Sequence, residues 1–174
     1  MMAGRPRALF LDRDGTLIRD VGYPRDPATV ELLPGAVEAL KGARELGYRL
    51  VIVSNQSGVA RGLIQPSEAR AVQERVEALF AERGVTFDGA WFCFHSPEDA
   101  CLCRKPAPGM ILAASRTLDL DLAGSVMVGD KASDVDAGIA AGTRAIGFGA
   151  GHHSRAEATF SSWGDLISWL RANS

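Results

Sequence analysis

The stretch "LFLDRDGTLI", residues 9–18, drives an apolar run straight into two aspartates, Asp12 and Asp14, with a glycine right behind. Ending a buried strand on two like charges is unfavourable unless a cation or a shared proton lies between them. Four further short runs rich in Val, Ile, Phe and Leu, at 48–54, 89–94, 125–130 and 144–148, read as strands beside this first one at 8–12. They are continuous rather than alternating, as expected for strands covered on both faces.

Helical patterns separate them. In "PGAVEALKGARELG" (34–47) Val37, Leu40, Ala43 and Leu46 recur every third residue, and Gly47 suits a left-handed C-terminal position. A second helix covers 66–84, with Ser67 as N-cap and Ala69, Val72, Val76, Leu79 and Phe80 forming one stripe. Shorter helices are expected at 108–117, 133–141 and 163–172. This rhythm predicts an α/β fold, a doubly wound, mostly parallel Rossmann-like sheet with helices on both faces. The 174 residues suit one domain over 1–174. No insertion is large enough for a separate cap domain, but 18–34 is a long loop, and such loops are often functional.

With 47% hydrophobic residues, a net charge of −2 and a pI near 5.9, the chain has no basic excess for nucleic acid or an anionic membrane. No run of about eighteen apolar residues occurs, and charges sit where a signal peptide needs its apolar segment. A cytoplasmic monomer acting on a small molecule is expected.

In a parallel α/β sheet, ligands bind outside the carboxyl ends of the strands, and the polar residues collect there. Asp12 and Asp14, two apart, would project to the same side of an extended backbone. A hard cation such as Mg²⁺ relieves their repulsion, and one carboxylate is then free to attack while the other moves a proton. Asp130 closes the fourth run and would share the ion; Asp134 is a candidate supporting residue and Asp136 a charge of the cap region. The second strand ends in Ser54, Asn55, Gln56 and Ser57, whose hydroxyl, amide and N–H groups suit phosphate oxygens. Only three of 19 basic residues are lysine; Lys105 and Lys131 lie in loops after strands three and four, where a point charge suits phosphate, and Arg104 offers a bidentate fork.

All three cysteines fall in "CFHSPEDACLC", 93–103. Cys93 alone would read as a buried apolar residue, and a disulfide is disfavoured in the cytosol. Together Cys93, His95, Cys101 and Cys103 supply a closed tetrahedral zinc shell. A closed shell cannot activate water, so this zinc would staple the loop that leads into Arg104 and Lys105. His152 and His153 are expected in a solvated loop.

"DRDGT" (12–16), Ser54-Asn55, Lys105 and "GDKASD" (129–134), in that order, resemble the four motifs of the haloacid dehalogenase (HAD) phosphohydrolases. "SNQSGVARG" (54–62), the zinc constellation and "CRKPAPGM" (103–110) are similar to its small capless branch acting on heptose bisphosphates and histidinol phosphate. The resemblance implies that Asp12 is the nucleophile and Asp14 the acid and base. It further implies Mg²⁺ held by the carboxylates of Asp12 and Asp130 and the backbone carbonyl of Asp14, with Ser54 and Lys105 on the phosphoryl group. Asp20, Val21, Gly22, Tyr23, Arg104 and Lys131 would line the substrate site. "NQSGVARG" and "GYPRDP" look like the heptose type, whereas the five-residue gap between His95 and Cys101 is closer to the histidinol-phosphate type. A receiver-type signalling domain also carries an aspartate at a strand end, but it lacks a partner two residues on. A zinc-scaffolded binding protein would not need the Asp12, Asp14, Lys105 and Asp130 set.

Overall fold

The computed structural model describes residues 4–174. The elements run β1 (Arg7–Leu11), α1 (Ala36–Glu45), β2 (Arg49–Asn55), α2 (Pro66–Ala81), β3 (Gly89–Cys93), α3 (Gly109–Leu118) and β4 (Asp121–Gly129). They continue as α4 (Ala132–Ala141), β5 (Arg144–Phe148), β6 (Ala158–Phe160) and α5 (Trp163–Asn173). The six strands form one sheet in the order β3-β2-β1-β4-β5-β6, and all neighbours are parallel. The chain winds outward from β1 to β3, returns to place β4 beside β1, and winds outward again. The switch point therefore lies between β1 and β4, whose ends carry Asp12 and Asp130.

Strand alternation divides the core into two layers. Leu9, Leu11, Leu50, Ile52, Val126 and Val128 face a layer that includes residues of α1 and α5. Ala8, Phe10, Val51, Val53 and Met127 face Met110, Ile111 and Ala114 of α3 and Ala137 and Ala141 of α4. β1, β2 and the second half of β4 are thus buried on both sides, which is why their sequences are apolar without a break.

The structure shifts several expected boundaries. Gly47 is left-handed (φ 87°) as expected, but α2 is capped by Gln65 and not by Ser67. Pro66, with no N–H to satisfy, takes the first helical position, and the Gln65 N–H donates to the Glu68 carboxylate at 2.8 Å. Strand β4 begins four residues before the expected 125, because Asp121–Gly124 are exposed or half-buried and carry no apolar run. The three-residue edge strand β6 gave no signal for the same reason.

The long loop after β1 is tied at its neck. Ile18 bridges to both Asp14 and Leu32, and the Leu33 N–H donates to the Leu17 carbonyl at 2.9 Å. Residues 19–31 form a closed excursion with a 3-10 turn at Pro27–Thr29. No helix among the described residues is long and apolar enough to cross a membrane.

Candidate active site

Three elements deliver charge to one point. Asp12 follows β1, Lys105 comes from the loop before α3, and Asp134 sits on the first turn of α4. The Lys105 ammonium donates to Asp12 Oδ1 at 2.8 Å and to the Val53 carbonyl at 2.8 Å, and it meets Asp134 Oδ1 at 2.6 Å. Three donors find three acceptors. Burial favours a neutral lysine, but Asp12 and Asp134 override it and hold Lys105 protonated, above its usual range. Burial likewise opposes ionisation of Asp12, yet the Lys105 charge prevails and keeps the carboxyl below its usual value. Asp12 is therefore a carboxylate, the state a nucleophile requires.

Asp130 behaves oppositely. Burial first, then the charge of Asp12, pushes it up to about 8, and its Oδ1 is buried with no hydrogen-bond partner among the described residues. Carboxylate oxygens of Asp12, Asp130 and Asp134 lie within 4.8 Å of one another. Hard oxygen donors this close, one of them orphaned, fit a divalent cation. Asp134 already bonds Lys105 and accepts from the Lys131 N–H at 3.0 Å, which leaves Asp12 and Asp130 for the cation. Backbone shape enforces this crowding: Gly15 is left-handed (φ 86°), and a Cβ there would overlap the Asp130 carboxylate.

Asp14 lies beside this cluster, held by different partners. Arg13 Nε donates to Oδ1 and Nη2 to Oδ2, each at 3.2 Å, and Gln56 Nε2 donates to Oδ2 at 2.6 Å. Burial raises Asp14 above the usual carboxylate value, with the Arg13 charge opposing. Trp163 of α5 braces the same loop by donating from Nε1 to the Thr16 carbonyl at 2.8 Å.

A cleft of about 540 Å³ opens over these groups, lined by Asp12, Asp14, Lys105 and Asp134 below. Asp20, Gly22 and Tyr23 of the tied loop, Asn55, Gln56 and Ser57 after β2, Arg104 and Lys131 also line it. The sequence reading is thus largely gathered in one place, with four departures. Val21 is half exposed and does not line the cleft, while Ser54 is buried and accepts from Gln56 Nε2 at 2.9 Å. Asn55 spends its amide on the Lys105 backbone, accepting from its N–H and donating to its carbonyl, both at 3.0 Å. Gln56 likewise turns its amide to Asp14 and Ser54. Arg61, Pro97 and Ser133 line the cleft without having been singled out in sequence.

The cysteine loop closes as expected. Cys93 Sγ lies 3.5 Å from both His95 Nδ1 and Cys101 Sγ. Cys103 Sγ lies 3.2, 3.1 and 3.4 Å from His95 Nδ1, Cys93 and Cys101 respectively. A zinc–sulfur bond of about 2.3 Å implies tetrahedral edges of roughly 3.8 Å, so the four donors are arranged compatibly with a zinc ion. Burial pushes the Cys93 thiol up to about 12. For Cys101, burial is outweighed by hydrogen bonds from Cys103 and the Arg104 N–H, which bring it to about 6.

His152 is exposed as expected, but His153 is not in a solvated loop. It is buried at 8% exposure, with Nε2 3.1 Å from the Phe148 carbonyl. Gly147 leaves the space its ring fills, since a Cβ there would strike it. Asp136 pairs with Arg155 at 2.6 Å, away from the cleft. Arg13, only 1% exposed, carried no signal beyond standing between two aspartates.

An ionised aspartate at the switch point of a doubly wound sheet, a buried lysine beside it and a polar cleft above define the class: a phosphatase of the doubly wound type. A HAD-hydrolase-like family model matches residues 102–168. A D-glycero-beta-D-manno-heptose-1,7-bisphosphate 7-phosphatase of Yersinia pestis is 41% identical over 148 residues, 80% of this chain and 79% of the relative. One from Vibrio cholerae is 44% identical over 142 residues, 78% and 76% of the two chains. The crystal structure of a D,D-heptose 1,7-bisphosphate phosphatase from B. bronchiseptica, complexed with magnesium and phosphate, matches at TM-score 0.88. It is 29% identical, with 97% of this chain and 99% of that one covered. The chain belongs to the HAD-like phosphatase family that includes these enzymes.

Proposed function

We propose that this phosphatase removes the 7-phosphate of D-glycero-D-manno-heptose 1,7-bisphosphate. The observation that carries the reading is the identity of about 40% with relatives bearing that name, over four fifths of the chain. The polar cleft agrees with it, since Arg104 and Lys131 line it together with Asp20 and Tyr23 of the tied loop, offering cations for phosphate and polar groups for a sugar. The short gap between His95 and Cys101 leaves histidinol phosphate as the competing substrate. Phosphate release from both compounds, measured side by side in Mg²⁺, tests the reading; faster turnover of histidinol phosphate would overturn it.

In this reading Asp12 attacks phosphorus, the bond to the sugar oxygen breaks, and Asp14 gives that oxygen its proton. Water then attacks the aspartyl-phosphate, Asp14 takes its proton, and phosphate leaves as Asp12 is regenerated. The Lys105 ammonium opposes the charge gathering on the phosphoryl oxygens. Mg²⁺ would be held by Asp12, Asp130 and the Asp14 carbonyl, and when bound it supplies positive charge to the same oxygens. Asp134 and Asn55 hold Lys105 in place from either side. Zinc on Cys93, His95, Cys101 and Cys103 would staple the loop before Arg104. Residues 1–174 would act as one domain and as a monomer in the cytoplasm.

A further inference from the structure

Arg13 is a buried cation that none of the steps above uses. An extended residue between two aspartates should point away from both. Its guanidinium instead folds back onto the carboxylate of Asp14 as a two-pronged fork, Nε to Oδ1 and Nη2 to Oδ2. The remaining prong, Nη1, donates to Gln73 Oε1 of α2 at 3.3 Å, and Gln73 Nε2 donates onward to Glu77 at 2.9 Å. The Phe92 ring lies beneath, its centroid 5.9 Å from the guanidinium carbon. Asp14 thus stands on a chain of contacts, Asp14 to Arg13 to Gln73, that ends on a helix outside the catalytic loop.

A buried arginine is costly, and a bidentate carboxylate alone would satisfy it anywhere in the core. Here the fork engages a carboxylate that lines the cleft and that the proposed reaction uses as its acid. With Gln56 on Oδ2, three donors fix the rotation of the Asp14 carboxyl. A proton transfers only when donor and acceptor are within hydrogen-bond reach and aligned, so this rotation governs transfer to the departing oxygen.

We propose that Arg13, anchored by Gln73, is a positioning residue that sets the Asp14 carboxyl in register with the leaving oxygen. The proposal rests on the reading of Asp14 as the acid, and it predicts a dependence on the leaving group. An alkyl phosphate expels a basic alkoxide and needs the proton; p-nitrophenyl phosphate expels a stable phenolate and needs little. Because kcat/KM reports the steps through leaving-group departure, it isolates this proton transfer from the later hydrolysis.

The experiment compares kcat/KM for heptose bisphosphate and p-nitrophenyl phosphate in the metal-loaded wild type, Arg13→Gln, Gln73→Met and Asp14→Asn. Arg13→Gln should lose about 100-fold on the alkyl phosphate, the lower end of what acid catalysis contributes, and under about fivefold on the aryl phosphate. Gln73→Met, which leaves the cleft residues untouched, should show the same bias at about three- to tenfold, and it stands in if Arg13→Gln does not fold. Equal losses on both substrates, or a rise in KM alone, in whichever of these variants folds would overturn the proposal while leaving Asp14 as acid if Asp14→Asn keeps the bias. If Asp14→Asn shows no bias, the acid assignment falls and Arg13's role with it.

Discussion

Replacing Asn55 with alanine separates two roles that its position permits. If the amide binds substrate, its loss weakens binding; if it clamps the backbone of Lys105, its loss displaces the ammonium that meets Asp12. The amide makes two hydrogen bonds to Lys105, both at 3.0 Å, each worth about 1 kcal/mol net. Their full loss in the transition state, roughly 2 kcal/mol, corresponds to about 30-fold in rate. Asn55 is half-buried at the cleft, so water replaces part of the loss, and kcat should fall about ten- to thirtyfold. KM should change less than about threefold, because the groups facing the substrate remain. Asn55→Asp should be worse than Asn55→Ala, since its carboxylate still accepts from the Lys105 N–H but opposes the Lys105 carbonyl. Steady-state kinetics on both variants, with melting curves to confirm folding, decide the matter. A tenfold or larger rise in KM at unchanged kcat would refute the clamp and return Asn55 to the substrate.

Asp12→Asn removes the attacking oxygen while nearly preserving shape, and phosphate release should fall at least about a thousandfold with the zinc content retained; residual turnover above a few per cent would sink the nucleophile. Cys101→Ser should lower bound zinc, read by elemental analysis, and reduce the melting temperature by several degrees, because metal binding is coupled to folding; unchanged zinc would remove the site from the account. Asp130 gives a pH signature in metal-free protein. Its folded pKa near 8 exceeds the unfolded value of about 3.9, so the native state binds the extra proton and stability declines as pH rises from about 4 to 8. Melting curves of wild type and Asp130→Asn should diverge over that window, with Mg²⁺ raising the wild-type melting temperature more at pH 8 than at pH 5; parallel curves would contradict the assignment.

Much of this protein was legible from local pattern. Runs such as 8–12 and 144–148 are apolar because both faces of their strands are covered, and that demand is written into each segment alone. The same holds for the cysteine loop, whose four donor side chains lie within eleven residues, and for Asp12 and Asp14, which share one strand end. Strands without an apolar run, β6 and the start of β4, left no such trace.

Side-chain partnership was another matter. Asn55 and Lys105 are 50 residues apart, and no spacing rule says that an amide at a strand end will face a backbone instead of a phosphate. Arg13 is charged, yet nothing local predicts that it will be buried or that a glutamine 60 residues on will anchor it. His153 looked solvated because its neighbours are small and polar, but those small neighbours are what make room for its ring. Composition, the alternation of strands with helices and the identity of the chemical groups follow from the sequence by itself, since each reflects a local burial or ligand requirement. Which carboxylate stays ionised and which is raised, and which amide braces rather than binds, depend on charges and donors brought together by the fold. Only the tertiary structure decides them, because the energy of a buried charge is set by what stands within a few ångströms of it.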